Sequence, residues 1–185
     1  MPNAMFEIAT ERLRLIGLDG AGISLFIENE AALDLRLGLA PATIELPEAF
    51  RAEIKPALEE FCLPNIRANA DQYLWYTHWL IIHREQNLRI GGVGSSGPPN
   101  EIGEVMIGYY ISRPYTGQGF AVEASSAFCR WLETHPHLKM IIATTPVGHH
   151  ASERVLQKIG FTQGESEEEG INRWELKQGS GHQPG

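Results

Sequence analysis

"ISRPYTGQGFAVEASSAFCRWLETH", residues 111–135, decides how this chain is read. An apolar, strand-like run stops at Arg113. A short loop carrying Gly117 and Gly119 follows, and then a helix with no N-cap Ser or Asp. Phe120, Ala124, Ala127, Phe128, Trp131 and Leu132 recur at helical spacing and share one face. The helix should therefore begin near Gly119 or Phe120 and end before Pro136. Its first amides have no intrahelical partner and lie at the positive end of the helix dipole. Two glycines free to take φ > 0 let a bulky anion approach the backbone. The stretch reads either as a phosphate or pyrophosphate cradle or as a tight strand-to-helix turn.

Working outward, "GEVMIGYYIS" before the loop is a strand and "KMIIATT" after the helix is a short buried strand. This strand-helix-strand unit, around residues 104 to 144, predicts a local parallel pair. Upstream, "ERLRLIGL" alternates and reads as a strand. "DGAGISLFIENEAALDLRLG" reads as a helix. "LPEAFRAEIKPALEEFCLPNIRANADQ" reads as helix interrupted by Pro56 and Pro64. "YLWYTHWLIIHRE" and "LRIGGVGSSG" read as strands joined by a hairpin turn at Glu85 to Asn87. Downstream, "HHASERVLQKI" is a helix closed by Gly160, and "FTQGES" and "NRWEL" form a last strand pair. The tail 177–185, "KQGSGHQPG", is expected to be disordered. The expected fold is α+β (mixed α/β). One domain over residues 1–176 holds a mostly antiparallel mixed sheet of about seven strands, with helices on both faces.

Composition narrows the partners. Of 185 residues, 15 are Lys or Arg and 23 are Asp or Glu, a net charge of -8. That disfavours nucleic acid, whose phosphates call for clustered cations. No run of about 18 apolar residues predicts a membrane span, and "MPNAMFEIATERLRL" lacks the parts of a secretory signal. Cys62 and Cys129 form neither a disulfide framework nor a zinc spacing, so no metal is expected and the cytoplasm is the simplest setting. "GVGSSG", residues 92–97, spells the dinucleotide pattern, but Pro98, Pro99 and Asn100 stand where its helix should start.

"GEVMIGYYISRPYTGQGFAVEA" followed by "IIATTPVGHHASERVLQKIGF" resembles the GNAT superfamily of acyl-CoA-dependent N-acyltransferases, and within it the ribosomal-protein N-terminal acetyltransferase group. "TERLRL" and "RWEL" are also typical of that group, so the resemblance covers roughly residues 8 to 176. It implies that the anion is the pyrophosphate of acetyl-CoA, the co-substrate. By the same resemblance Ile111, Ser112 and Arg113 border the pantetheine arm, and Thr116, Gly117, Gln118, Gly119, Phe120 and Ala121 form the pyrophosphate loop. The family often has Gln or Arg where Pro114 stands. His149 holds the place of a usual Asn and could bond the pantetheine, or could be an exposed helix-start residue.

Transfer of an acetyl group needs an uncharged amine, a stabilised oxyanion and a proton for the leaving thiolate. Many members of the superfamily take that proton from a Tyr at the position of Leu156. In the group resembled here, the serine matching Ser152 is thought to serve instead; Ser152 could also be a helix-start residue, and Tyr109 and Tyr110 are further hydroxyls. The usual Glu of the strand is Met106. Glu104, on the same strand face, is the candidate base, directly or through water; His78 and His83 are weaker candidates. The expected activity is transfer of acetyl to a primary amine, a peptide or protein α-amino group or a small-molecule amine. A coenzyme A-binding regulatory module without turnover is the other class left open, as is a homodimer.

Overall fold

A computed structural model describes residues 5–179. The strands are β1 (Glu7–Ala9), β2 (Leu13–Gly17), β3 (His78–His83), β4 (Leu88–Ser95), β5 (Glu104–Ile111), β6 (Met140–Pro146), β7 (Thr162–Gln163) and β8 (Ile171–Lys177). The helices are α1 (Gly20–Glu28), α2 (Glu30–Arg36), α3 (Glu48–Pro56), α4 (Leu63–Ala68), α5 (Tyr73–Tyr76), α6 (Phe120–Leu132) and α7 (His150–Ile159). The strands form one sheet in the order β1-β2-β3-β4-β5-β6-β8-β7. Every pairing is antiparallel except β5 with β6. The parallel pair is the one expected, because a helix must carry the chain back to the same end of the sheet.

Strand alternation divides the core between the two faces. Leu13, Leu15, Trp79, Ile81, Val105 and Ile107 pack with Phe120, Ala124, Phe128 and Leu132 of α6 and with Leu156 of α7. Ile16, Leu80 and Ile82 pack on the other face with Ile23 and Phe26 of α1, Leu33 of α2, and Leu58 and Ile66. Truncating one of the large side chains, such as Phe128, would cost about 3–5 kcal/mol.

Four local expectations are corrected. The short edge strand β1 adds an eighth to the expected seven or so; its three residues are too few to show a period. The predicted helix after Asp19 is two helices, because Asn29 leaves helical geometry and its side chain accepts from the Ala32 amide at 3.0 Å, capping α2. Pro56 and Pro64 do not interrupt the third helical stretch. A π-helical turn, Ala57–Cys62, joins α3 to α4, the kind of wide turn that a broken amide ladder tolerates. Tyr73–Tyr76 is a helical turn and not strand; the Thr77 hydroxyl, donating to the Leu18 carbonyl, pins the point where β3 can begin.

The expected tail is corrected at its first residue. Lys177 completes β8, opposite Met140, and residues 180–185 of the predicted tail lie outside the described residues. Among the described residues no helix is long and apolar enough to cross a membrane. The hairpin turn lies as predicted, with Asn87 at φ 51°. After "GVGSSG" the chain enters bends and a turn rather than a helix.

One irregularity positions everything that follows. β5 and β6 pair only over Glu104↔Met140, Val105↔Ile141 and Met106↔Ile142. Beyond that point β5 stays with β4 as far as Ile111↔Gly91, and β6 stays with β8 as far as Pro146↔Ile171. The two strands therefore part in the middle of the sheet. The facing edge of β5 keeps backbone donors and acceptors with no strand neighbour, which a ligand can use.

Candidate active site

The loop at the mouth of the cleft is built as the spacing predicted. Gly117 has φ 74° and Gly119 has φ 85°. Gly119 is the N-cap of α6, with no side-chain capping bond. The first helical bond runs from Glu123 N to Gly119 O at 3.0 Å, so the amides ahead of Glu123 have no helical carbonyl. A Cβ at Gly117 would meet nothing within 4 Å, so the loop faces open space.

The segment "TER" at the start of the chain holds this loop. Glu123 accepts from Thr10 Oγ1 at 2.6 Å, from the Arg12 amide at 2.8 Å and from Arg12 Nε at 2.7 Å. Arg12 Nη1 donates to the Gln118 carbonyl at 3.0 Å, and its guanidinium lies 4.4 Å from the Phe120 ring centre. Burial alone would raise the Glu123 carboxyl, but the bonds from Thr10 and Arg12 hold it below its ordinary value.

Between the parted strands lie two adjoining cavities. The first, about 590 Å³, runs from Tyr109 and Ile111 past Tyr115, Thr116, Gly117, Gly119, Phe120 and Ala121 to Ala151, Ser152, Arg154 and Lys158 of α7. No acidic side chain lines it, while Arg154 and Lys158 do. The second, about 650 Å³, lies under α3 and the π-helical turn, over Gly92, Gly94, Met106 and Gly108. Its one acidic lining residue is Glu53. Phe50, Tyr109, Tyr110, His149 and Ser152 line both cavities and mark their junction.

The structure brings Ile111, Thr116, Gly117, Gly119, Phe120, Ala121, His149 and Ser152 to this cleft. Ser112, Arg113 and Gln118 lie in the same turn but do not line it. The Ser112 hydroxyl accepts from the Glu45 amide at 2.8 Å. The Arg113 amide donates to the Glu45 carbonyl at 3.0 Å. Gln118 Nε2 donates to the Pro114 carbonyl at 2.9 Å. Their side chains and backbone shape the turn instead. Ser152 is not the cap of α7; that position is His149, and no side chain caps the helix.

Glu104 stands apart. It lies in the still-paired part of β5, where Arg173 Nη2 bonds its carboxylate at 3.0 Å, and it lines neither cavity. His83 lies on the α6 face of the sheet, against Tyr115 and Phe120, and lines neither cavity. Met106, 44% exposed, and the buried Leu156 do line the second cavity, with nothing titratable to offer.

Two features escaped sequence reading. Phe50 of α3 reaches over the junction and meets the Tyr110 ring edge-on at 5.6 Å. Beneath it, His78 Nε2 and Tyr110 Oη lie 3.0 Å apart. Burial, and then the charge of nearby Arg89, hold His78 down to about 4. Burial pushes Tyr109 up to about 12 and raises Tyr110 as well. All three side chains are therefore uncharged at neutral pH. Arg89 is itself buried and paired with Asp34 at 2.5 Å and Glu30 at 3.0 Å. The contact across β3 and β5 has no local signature.

A family profile described as an acetyltransferase (GNAT) domain matches residues 36–162. The uncharacterized N-acetyltransferase YjdG of Bacillus subtilis (strain 168) is 26% identical over 157 residues, spanning 85% of this chain and 90% of that protein. Among solved structures, the ribosomal L7/L12 alpha-N-protein acetyltransferase RimL in complex with coenzyme A superposes with a TM-score of 0.65. It is 16% identical and the match covers 95% of this chain and 100% of that one. The ribosomal-protein-S5-alanine acetyltransferase of Vibrio fischeri gives 0.63 at 16% identity, over 94% and 97% of the two chains.

Proposed function

The chain belongs to the GNAT acetyltransferase family and is an acetyl-CoA-dependent N-acetyltransferase, and from that premise we propose that its acceptor is a peptide or protein α-amino group. The observation that carries this reading is the meeting of two cavities at Tyr109, Tyr110, His149 and Ser152.

The chain's own groups suit the co-substrate. The uncapped start of α6, the open Gly117 and the cations Arg154 and Lys158 fit a pyrophosphate. The strand edge from Ile107 to Ile111, unpaired with β6, fits the amides of a pantetheine arm. Acetyl-CoA, when bound, supplies the acyl group as a thioester. Ser152 lies at the junction, where its hydroxyl can hold a proton for the departing sulfur. His149 can hydrogen-bond at the same place. Tyr109 donates to the Ser152 carbonyl at 3.4 Å, which steadies the first turn of α7.

The acceptor is inferred from how few bases line the second cavity, where Glu53 is the one carboxylate. Met106 offers no carboxylate, and Glu104 is engaged by Arg173. An α-amine titrates near ~7.7 to 8, so its neutral form at pH 7 costs about 1 kcal/mol; a Lys amine near ~10.4 costs about 4.6 kcal/mol. A site poor in bases suits the α-amine. The test is competition between two matched peptides, one Lys-free with a free N-terminus, the other N-blocked with one Lys. Acetylation of the free N-terminus is expected. Preference for the Lys peptide, or for a polyamine over both, would overturn the acceptor assignment. Binding of acetyl-CoA with no turnover of any amine would favour a regulatory module.

A further inference from the structure

We propose that Tyr110 and His78 together receive the acceptor amine, the phenol oxygen accepting an amine N–H while the phenol proton is held by His78 Nε2. The inference rests on the acetyltransferase reading and adds to it the groups that position the nucleophile.

Placement comes first. Tyr110 lines both large cavities and also a smaller one of about 130 Å³ that enters beside Glu30 and Arg51. Its ring stacks on the His78 ring, with centres 5.7 Å apart and planes 15° from parallel. Phe50 closes over it from α3. The pair lies directly on the sheet because Gly92 has no side chain. A Cβ there would lie 2.4 Å from His78 Cε1 and Nε2 and 2.8 Å from Tyr110 Oη. All three atoms belong to the pair's own side chains, so a side chain at position 92 would displace the pair.

Charge then sets the direction of the hydrogen bonds. The ionisable groups around the pair are Arg89 on β4 with its partners Asp34 and Glu30 on α2, Arg51, Glu53 and Lys55 on α3, Cys62 in the π-helical turn, Tyr109 on β5 and His149 at the start of α7. Arg89 is neutralised by Asp34 and Glu30, yet still disfavours a second cation at His78. A neutral imidazole carries one proton. With that proton on Nδ1, Nε2 can only accept, and it takes the Tyr110 O–H at 3.0 Å. The remaining lone pair of the phenol oxygen is then free for a donor from the cavity. An amine N–H is such a donor. The arrangement replaces the missing carboxylate with a neutral acceptor.

A histidine held near pH 4 is a poor store for a proton from an amine. The pair therefore orients the amine and does not deprotonate it, which makes Tyr110 and His78 positioning residues. Enzyme and amine titrations then separate: acceptor KM should fall as pH rises through the amine's own pKa, with no added inflection from the pair.

The experiment compares wild type, Tyr110→Phe, His78→Leu and His78→Gln by steady-state kinetics. The probes are a Lys-free peptide beginning with Ala and spermidine, with acetyl-CoA affinity measured by calorimetry. Tyr110→Phe should raise the KM of the productive probe about 10-fold, the worth of one good hydrogen bond. Its kcat should change much less, and its affinity for acetyl-CoA should hold. His78→Leu should behave alike, and His78→Gln, whose amide oxygen can still accept from the phenol, should retain more affinity than His78→Leu. An unchanged KM in Tyr110→Phe overturns the proposal. So does a fall in kcat at constant KM, which would assign Tyr110 to proton transfer. If wild type binds acetyl-CoA but acetylates neither probe, the acceptor assignment of the proposed function fails, and the proposal, which places that acceptor, fails with it.

Discussion

Arg12 Nε meets Glu123 Oε2 at 2.7 Å, so the turn between β1 and β2 grips the first turn of α6. Neither residue lines the cleft, yet both hold the loop that does. Glu123→Gln removes the charge that fixes Arg12 on the Gln118 carbonyl. Acetyl-CoA should bind several-fold more weakly by calorimetry, with thermal unfolding little changed. Unaltered affinity would show that the loop holds its shape without this clasp.

Gly119→Glu tests the cradle directly. Position 119 has φ 85°, which a side chain adopts at a cost of about 1–2 kcal/mol. The new carboxylate would also compete with a pyrophosphate for the same amides. Calorimetry should show acetyl-CoA binding lost while circular dichroism stays native. Retained binding would remove α6 from the co-substrate site.

Ser152→Ala addresses the proton for the leaving sulfur. A group that acts only as the bond breaks contributes to the transition state and little to ground-state binding. The alanine variant should turn over at least ~10-fold more slowly, within the usual range for general acid catalysis, at near-native acetyl-CoA affinity. A wild-type rate would pass the role to Tyr109, Tyr110 or water.

Glu104→Gln should register in stability. The Arg173 pair is partly exposed, with side chains 28% and 20% accessible, so its loss should cost no more than about 1 kcal/mol. A small drop in denaturation midpoint is expected. A shift in the alkaline limb of the pH–rate profile would instead return Glu104 to the reaction.

Acid should destabilise the fold through His78. Its folded pKa, about 4, lies below the ordinary value of 6.5. Between those values the unfolded chain binds a proton that the folded chain refuses, so stability falls as pH drops from 6.5 toward 4. At a factor of ten per unit, the loss approaches about 3 kcal/mol. His135, also lowered by desolvation, adds in the same direction. Denaturant titrations at several pH values should show this slope in wild type and a flatter one in His78→Leu. Equal slopes would mean that His78 titrates normally in the folded protein.

Local order was legible before any coordinates. The face of α6 from Phe120 to Leu132, its uncapped start at Gly119, and the Gly160 stop of α7 were readable because helix period and terminal chemistry act over one or two turns. The parallel β5–β6 pair followed from strand-helix-strand order. The replacements Met106 and Leu156 could be read by position, and both do line the second cavity.

What failed was set at longer range. Tyr73–Tyr76 has strand-forming residues, yet Thr77 locked on Leu18, 59 positions away, makes it a turn of helix. Glu104 shares a strand face with the site, but Arg173, 69 positions on, claims it. Arg12 finds Gln118 across 106 positions, and His78 finds Tyr110 across 32. The sequence by itself determined most of the elements, the two-glycine start of α6, and the presence of Leu156 and Met106 where the resembled family has its usual acid and base. The tertiary structure alone decided where β5 and β6 part and which polar groups meet there. Periodicity and capping are energies of neighbours along the chain, whereas the reach of one side chain to another depends on how the whole sheet twists and packs.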